Sequence, residues 1–363
     1  MPSHGIVYHG IMKRREFLMA SIGVATTARG GGEASASGRI RIGQIGVFHA
    51  HASGKMDAMR RLADRYEVVG ISEREGSLRD GAMDRMPYKG LKFLPEEELL
   101  AQAGLAAVAV ETRVEDAAAT ALRCLRAGKH IHLDKPGAVD HASFREMRRE
   151  AERRGLTVQM GYMLRYNPAF EMLFKIAKDG WLGEITEIDV SMGKLADRGT
   201  RETIGALEGG GMFELGGHMI DVVVTLLGKP VSVHAASTPT AKDGVKGNQL
   251  AVLQYPKSTV TLRCNHADPF GGPRRHFTVA GTKGMFQVRP MESGNVTLGF
   301  DGPREKWPKG ISQVQLKVPP GRYDGEFIDL AKIIRGEKAL DWNADHDIAV
   351  HETLLLAAGM AAQ

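Results

Sequence analysis

Residues 128–138 read GKHIHLDKPGA. The preceding run, 114–127, has helical periodicity, Gly128 stands where a C-terminal cap belongs, and residues 130–133 then read as a short strand. Asp134, Lys135 and Pro136 fall just past its carboxyl end. In open α/β sheets that edge is where ligands bind, so the Lys135 ammonium is placed to reach a cofactor and a substrate. A surface lysine ending a strand would look the same in isolation, and the flanking pattern has to decide.

That pattern is an alternation. Residues 39–47, 66–72 and 105–111 read as buried strands and 53–63 as a helix, while 143–154 is helical and 157–161 is a last strand. Such alternation implies an α/β fold with a parallel, doubly wound sheet over residues 38–161. Beyond 161 the pattern changes. A helix at 170–178 is followed by strand candidates at 185–192, 231–236, 250–255, 259–264, 276–280 and 285–288, joined by turns such as Pro256-Lys257-Ser258 and Gly281-Thr282-Lys283-Gly284. Residues 162–363 are therefore expected to form a second α/β domain with an open, largely antiparallel sheet. Helices at 211–227 and 348–360 would cover one face, leaving the other to pair with another subunit in a homodimer or homotetramer.

The 363 residues are 43% hydrophobic and 25% charged, enough apolar surface for two cores and unlike a disordered chain. A formal charge of +5, with no basic run interleaved with aromatics beyond the amino terminus, gives no support to a nucleic-acid partner. Cys124 and Cys264 lie far apart, so two buried thiols are expected rather than a disulfide framework or a cysteine metal site. The first 36 residues read as an address. Met12 precedes Lys13-Arg14-Arg15-Glu16-Phe17-Leu18, then the weakly apolar run MASIGVATTA and the small-x-small triplet Ala34-Ser35-Ala36. This resembles a twin-arginine export signal, which implies a periplasmic or secreted protein that folds before export. The apolar run is too short for a membrane anchor, which needs about 20 residues.

Two constellations carry chemistry. In Gly43-Gln44-Ile45-Gly46-Val47-Phe48-His49-Ala50-His51, Gly46 sits where a strand must turn sharply into a helix, but Phe48 replaces the second glycine that would admit a pyrophosphate. Glu73, at the end of the second strand, can accept hydrogen bonds from an adenosine ribose, which favours NAD, while Arg74 beside it leaves NADP open. Gly46, Phe48, His49, Glu73, Thr112, Asp134 and Lys135 are the cofactor-side candidates. The second constellation is GGGMFELGGHMID, residues 209–221, where Glu214 and His218 lie one helical turn apart. A carboxylate so placed can orient an imidazole as a proton acceptor; a solvated helix-stabilising pair would read alike. Asp221 reads as a packing partner.

GKHIHLDKP, GYMLRYNPAF, GGGMFELGGHMIDVVVTLLG and VAGTKGMFQV, in this order and spacing, resemble the glucose-fructose oxidoreductase, inositol dehydrogenase and rhizopine catabolism (Gfo/Idh/MocA) family from residue 39 onward. The resemblance implies a Rossmann domain holding NAD or NADP and a substrate domain that often pairs through its open sheet. The implied activity is oxidation or reduction of a hydroxyl carbon on a sugar, polyol or similar small molecule. It implies that Lys135 contacts substrate and nicotinamide ribose, that His218 transfers the proton, supported by Glu214, and that Tyr162, Arg165, Tyr166 and Asn167 border the substrate cleft. Asp134 stands where the family has glutamate, and Glu214 where it has aspartate.

Three functions stay open: an exported oxidoreductase, a glycosidase or lyase of the same family using NAD without net redox change, and a non-catalytic carbohydrate-binding relative, the last motivated by Phe48. The pairs His49/His51 and His130/His132 have imidazole spacing that zinc could use, but no metal site is expected from them. The cluster Asp345, His346, Asp347, His351 and Glu352 reads as a solvated helix face.

Overall fold

Five apolar runs, too hydrophobic to leave a face in water, line up as one parallel sheet: β1 (Ile40–Ile45), β2 (Tyr66–Ser72), β3 (Leu105–Val110), β4 (His130–Leu133) and β5 (Val158–Met160), in the order β2-β1-β3-β4-β5. The computed structural model describes residues 38–362, so the export-signal reading of residues 1–36 lies outside it. Crossovers are made by α1 (Ala52–Arg61), by α2 (Gly76–Met83) with α3 (Glu96–Leu100), by α4 (Val114–Arg126) and by α5 (His141–Arg154). The start of α5 lies two residues before the periodic pattern, because the Asp140 carboxylate accepts the Ser143 N–H at 2.8 Å as an N-cap.

After β5, α6 (Pro168–Lys178) starts at Asn167, whose side chain accepts from Ala169 N, with proline at the first helical position. The second sheet holds β6 (Ile185–Gly193), β7 (Ser232–Pro239), β8 (Lys246–Gln254), β9 (Thr259–Asn265), β10 (His276–Gly281), β11 (Gly284–Val288), β12 (Asn295–Phe300) and β13 (Gly310–Gln315). Its order is β13-β12-β11-β10-β6-β9-β8-β7, antiparallel except for the β6/β9 pair. The largely antiparallel second sheet is thus as expected, but β12 and β13 lengthen it by two strands. The edge strand β13 buries no residue, and its polar alternation left little apolar signal to read.

The helices of this part are α7 (Arg198–Gly205), α8 (Gly210–Leu227), the short α9 (Gly271–Arg274), α10 (Asp324–Ile334) and α11 (Ala344–Ala357). Helix α8 packs against β6, β8, β9 and α11, which explains why it is apolar nearly all round. It is long and apolar enough to cross a membrane, yet most of it is buried inside the fold. Helix α10 returns to the first sheet: Phe327, Leu330 and Ala331 join Ile40, Ile42, Met56, Met59 and Tyr66 in one core, and Tyr66 Oη donates to Phe327 O at 2.5 Å. The core of the parallel sheet therefore draws on residues far beyond 161. Cys124 and Cys264 are buried free thiols.

Candidate active site

The chain turns out of β1 through Gly46, whose φ is +89° and whose hypothetical Cβ would lie 2.6 Å from the Glu111 carbonyl carbon and Thr112 N. Only glycine permits that approach between the ends of β1 and β3. Val47 N then donates to Glu73 Oε2 at 2.9 Å, and Glu75 N to Glu73 Oε1 at 2.9 Å, so the acid at the end of β2 pins the turn. The Arg113 guanidinium covers the Phe48 ring at 3.7 Å and reaches Glu75 at 3.1 Å. Gly46, Phe48, Glu73, Arg74, Thr112 and Arg113 together bound a cavity of about 130 Å³. Four of the expected cofactor residues, Gly46, Phe48, Glu73 and Thr112, thus share one hollow. The glycine cradle, with the acid at the end of β2 and a helix α1 whose N-cap His51 makes no side-chain capping bond, fits the phosphate and ribose of a dinucleotide.

On the far side of that turn lies a buried charge cluster. Asp134, just past β4, receives His49 Nδ1 at 3.0 Å, His51 Nδ1 at 3.0 Å and Lys55 Nζ at 2.8 Å, all at Oδ2. Lys55, wholly buried one turn along α1 from His51, also faces Glu111 Oε1 at 3.3 Å and Glu326 Oε2, on α10, at 4.0 Å. Burial would raise the Asp134 pKa, but His49, Lys55 and His51 hold it well below the usual carboxylate range. Glu111 goes the other way, pushed up by burial despite Lys55 and further by the Asp134 charge. Burial lowers His51 to about 4, against the pull of Asp134.

The third part of the site is where α8 meets β4. Lys135 Nζ donates to the Glu214 carbonyl at 2.6 Å, one turn before His218 on the same helix. His218 is buried; its ring lies 6.4 Å from that of His51 and edge-on to Tyr162 at 6.1 Å. Burial, then the charges of Lys135 and His51, keep its pKa well below the ordinary histidine value, so the imidazole is neutral. The Glu214 carboxylate does not support His218. It takes Lys194 Nζ at 3.1 Å through Oε1 and His266 Nε2 at 3.1 Å through Oε2. His266 reaches it because it packs on Gly211, where a Cβ would lie 2.3 Å from its Nδ1. Burial opposes ionisation of Glu214, but His266, Lys135 and Lys194 together hold it ionised.

Three expected cleft residues carry structural bonds, and two of them, Tyr166 and Asn167, also line a cavity of about 550 Å³. Arg165 is buried in a bidentate pair with Asp221 (2.6 and 3.0 Å), bonds Asp347 at 2.8 Å and stacks on Trp342 at 4.4 Å. Tyr166 Oη donates to Asp329 at 3.0 Å and accepts from Gln159 at 2.9 Å. Asn167 caps α6 and donates to Glu292 O at 3.3 Å. Of the four, Tyr162 alone faces His218. The 345–352 cluster is likewise not a solvated face: Asp347 pairs with Arg148 and Arg165, and His351 is buried against Phe144, because this side of α11 packs on α5 and α8. Asp221 is a packing partner, as expected. Sequence reasoning missed Lys55, Lys194 and His266, whose partners lie 20 to 271 residues away; only the repeat His49, His51, Lys55 hinted at a cluster.

Residues 40–162 match the family model described as oxidoreductase family, NAD-binding Rossmann fold, and residues 170–287 match the GFO/IDH/MocA C-terminal domain. The chain belongs to the GFO/IDH/MocA family, and its first sheet is an NAD-binding Rossmann unit. It is 30% identical to trans-1,2-dihydrobenzene-1,2-diol dehydrogenase of Bos taurus over 195 residues, 53% of this chain and 57% of that protein. The match thus spans little more than half of that relative's length. The Mus musculus enzyme of the same name is 26% identical over 258 residues, 69% of this chain and 74% of that one. Two solved structures share the fold. GenD2 from gentamicin A biosynthesis, in complex with NAD, has a TM-score of 0.73 at 19% identity, covering 90% of this chain and 95% of its own. The WlbA dehydrogenase from Chromobacterium violaceum, with NADH and UDP-GlcNAcA, has 0.75 at 18%, covering 88% and 93%.

Proposed function

We propose that the chain is an NAD-dependent oxidoreductase, with NADP as an alternative cofactor, acting on a hydroxyl-bearing carbon of a sugar, polyol or related diol. The observation that carries this reading is the junction of β4 and α8. There the Lys135 ammonium is held by the Glu214 carbonyl at 2.6 Å and its charge bears on a buried, neutral His218. A neutral imidazole can take the proton of a substrate hydroxyl, and the neighbouring ammonium orients that hydroxyl and steadies the developing negative charge. Tyr162 walls the imidazole and keeps water from it. Glu214 holds Lys135 through its backbone while its carboxylate fixes Lys194 and His266 on the substrate side. Bound nicotinamide supplies the hydride acceptor. The diol dehydrogenase relatives and the nucleotide-sugar complex of WlbA support the substrate class.

The test is a panel of sugars, polyols and vicinal diols with NAD+ and NADP+, followed by absorbance of the reduced nicotinamide and by product analysis. Turnover with nicotinamide reduction is expected. Products formed without net nicotinamide change would replace this reading with the redox-neutral one, and protein that neither carries nor binds nicotinamide would end both. We also propose export by the twin-arginine route, tested by cell fractionation of wild type and an Arg14→Lys/Arg15→Lys variant. Pairing through the open face of the second sheet is proposed as well, tested by solution mass.

A further inference from the structure

The β1–α1 turn carries two histidines, His49 and His51, that do not line the hollow bounded by Gly46, Phe48 and Glu73. His49 and His51 place both Nδ1 atoms 3.0 Å from Asp134 Oδ2. Together the three side chains present one ligand atom each within 4.8 Å of one another. Two ligands bound at about 2.1 Å are separated by about 3.0 Å at right angles and about 3.4 Å in a tetrahedron, so these side chains need to part by only a few tenths of an ångström to hold a first-row divalent ion. His49 Nδ1 also lies 3.3 Å from His51 N, so the turn holds the two imidazoles side by side with both Nδ1 atoms toward Asp134.

An independent observation comes from Glu111. It is wholly buried at the end of β3, its Oε2 lies 3.8 Å from His49 Nδ1, and neither of its oxygens accepts a hydrogen bond; Oε1 has only the ion pair to Lys55 at 3.3 Å. Asp134, Glu111 and Glu326 gather around a single ammonium, Lys55, with His132 Nε2 3.2 Å from Glu326, so carboxylate oxygens outnumber the cations there and a dication would find donors at hand. β1, β3 and β4 are adjacent in the sheet, so the donors come from three neighbouring strand ends on a rigid support.

We propose that His49, His51 and Asp134, with Glu111 as fourth donor, form a binding site for a divalent first-row transition ion such as Zn²⁺. Two imidazoles with carboxylate oxygens are a donor set that such ions prefer over Mg²⁺ or Ca²⁺. The site borders the crevice, with the His51 ring 6.4 Å from that of His218, and it does not depend on which substrate the crevice takes. The second cluster with metal-like spacing, Asp221, His346 and Asp347, is already filled by the Arg165 and Arg148 guanidinium groups.

The test uses the full chain purified without a histidine tag and stripped with a chelator. Co²⁺ is titrated while its visible absorption is followed, and Zn²⁺ is titrated by calorimetry, both without nicotinamide. One equivalent should bind at micromolar or tighter affinity. His49→Ala and His51→Ala should each weaken binding by about two orders of magnitude, and Asp134→Asn should shift the Co²⁺ spectrum, whereas His130→Ala and His346→Ala should leave the titration unchanged. Absence of stoichiometric uptake by folded wild type, or undiminished uptake in the folded His49→Ala/His51→Ala double variant, would overturn the proposal. Failure here leaves nicotinamide binding untouched, and failure of nicotinamide binding leaves this result standing.

Discussion

Two buried charge clusters lie on either side of Tyr162, and they are built differently. Around Arg165, guanidinium meets carboxylate in bidentate geometry: Asp221 and Asp347 face Arg165, Arg148 faces Asp347, and His346 Nε2 lies 2.9 Å from Asp221. Around Asp134, three nitrogens crowd one oxygen, three carboxylates share one ammonium, and Glu111 accepts no hydrogen bond. Burial and charge are common to both, so neither marks a functional site. What separates them is pairing: in the first cluster each carboxylate meets a guanidinium, even though Arg148 Nε, Arg165 Nη1 and Asp347 Oδ2 make no hydrogen bond, and the cluster holds α8 and α11 to the preceding segment, while in the second the carboxylates outnumber the ammonium beside His218.

The sharpest way to break that contrast is on the reactive side. Replacing His218 or Lys135 by alanine should lower turnover by about two to four orders of magnitude while the melting transition stays close to wild type; wild-type turnover in either variant would remove them from catalysis. The converse is expected at Arg165. Arg165→Ala strands two buried carboxylates and should cost about 3–5 kcal/mol in denaturant unfolding, yet the folded fraction should keep its KM. A change in KM larger than the loss of folded protein would return Arg165 to the substrate cleft.

Acid should find a third, smaller effect away from both clusters. The His351 imidazole lies flat on Phe144 at 4.3 Å with Nε2 on the Ala138 carbonyl at 3.0 Å, and burial pushes its pKa down to about 4. Below about 6.5 the unfolded chain takes up a proton that the folded chain refuses, so stability rises with pH between 4 and 6.5 and this contribution is lost as pH falls. For His351 the loss reaches about 3 kcal/mol at pH 4, and His351→Gln should reduce the pH slope by that amount in unfolding titrations. The smallest effect belongs to Glu214→Gln. Because its carboxylate holds Lys194 and His266 and not His218, turnover should fall by about tenfold or less, with the acid limb of the pH–rate profile unmoved. A displaced limb would restore Glu214 as the partner of His218.

Much of this architecture was legible residue by residue. Strand–helix alternation implied the parallel sheet, since a run buried on both faces must be apolar throughout, and β4 occupies the residues read for it. Lys135 and His218 stood out because a lysine at a strand end and a histidine in a glycine-rich helix are chemically conspicuous. Arg165, Tyr166 and Asn167 stood out for the same reason, but their partners, Asp221, Asp329 and Glu292, came into view only in the folded chain. Helix α10 gave no sign that it would complete the first core.

By itself the order of residues determined the family, the two sheets and the positions of the conspicuous groups, because periodicity and turn chemistry act over a few residues. Tertiary structure alone decided which way each polar group faces: Glu214 toward Lys194 and His266, His49 and His51 toward Asp134, Glu111 toward Lys55 without a hydrogen bond. The physical reason is range. A side chain's preferred backbone is local, but its charge is settled by whichever partner the folded chain brings within about 4 Å, and that partner can come from any distance along it.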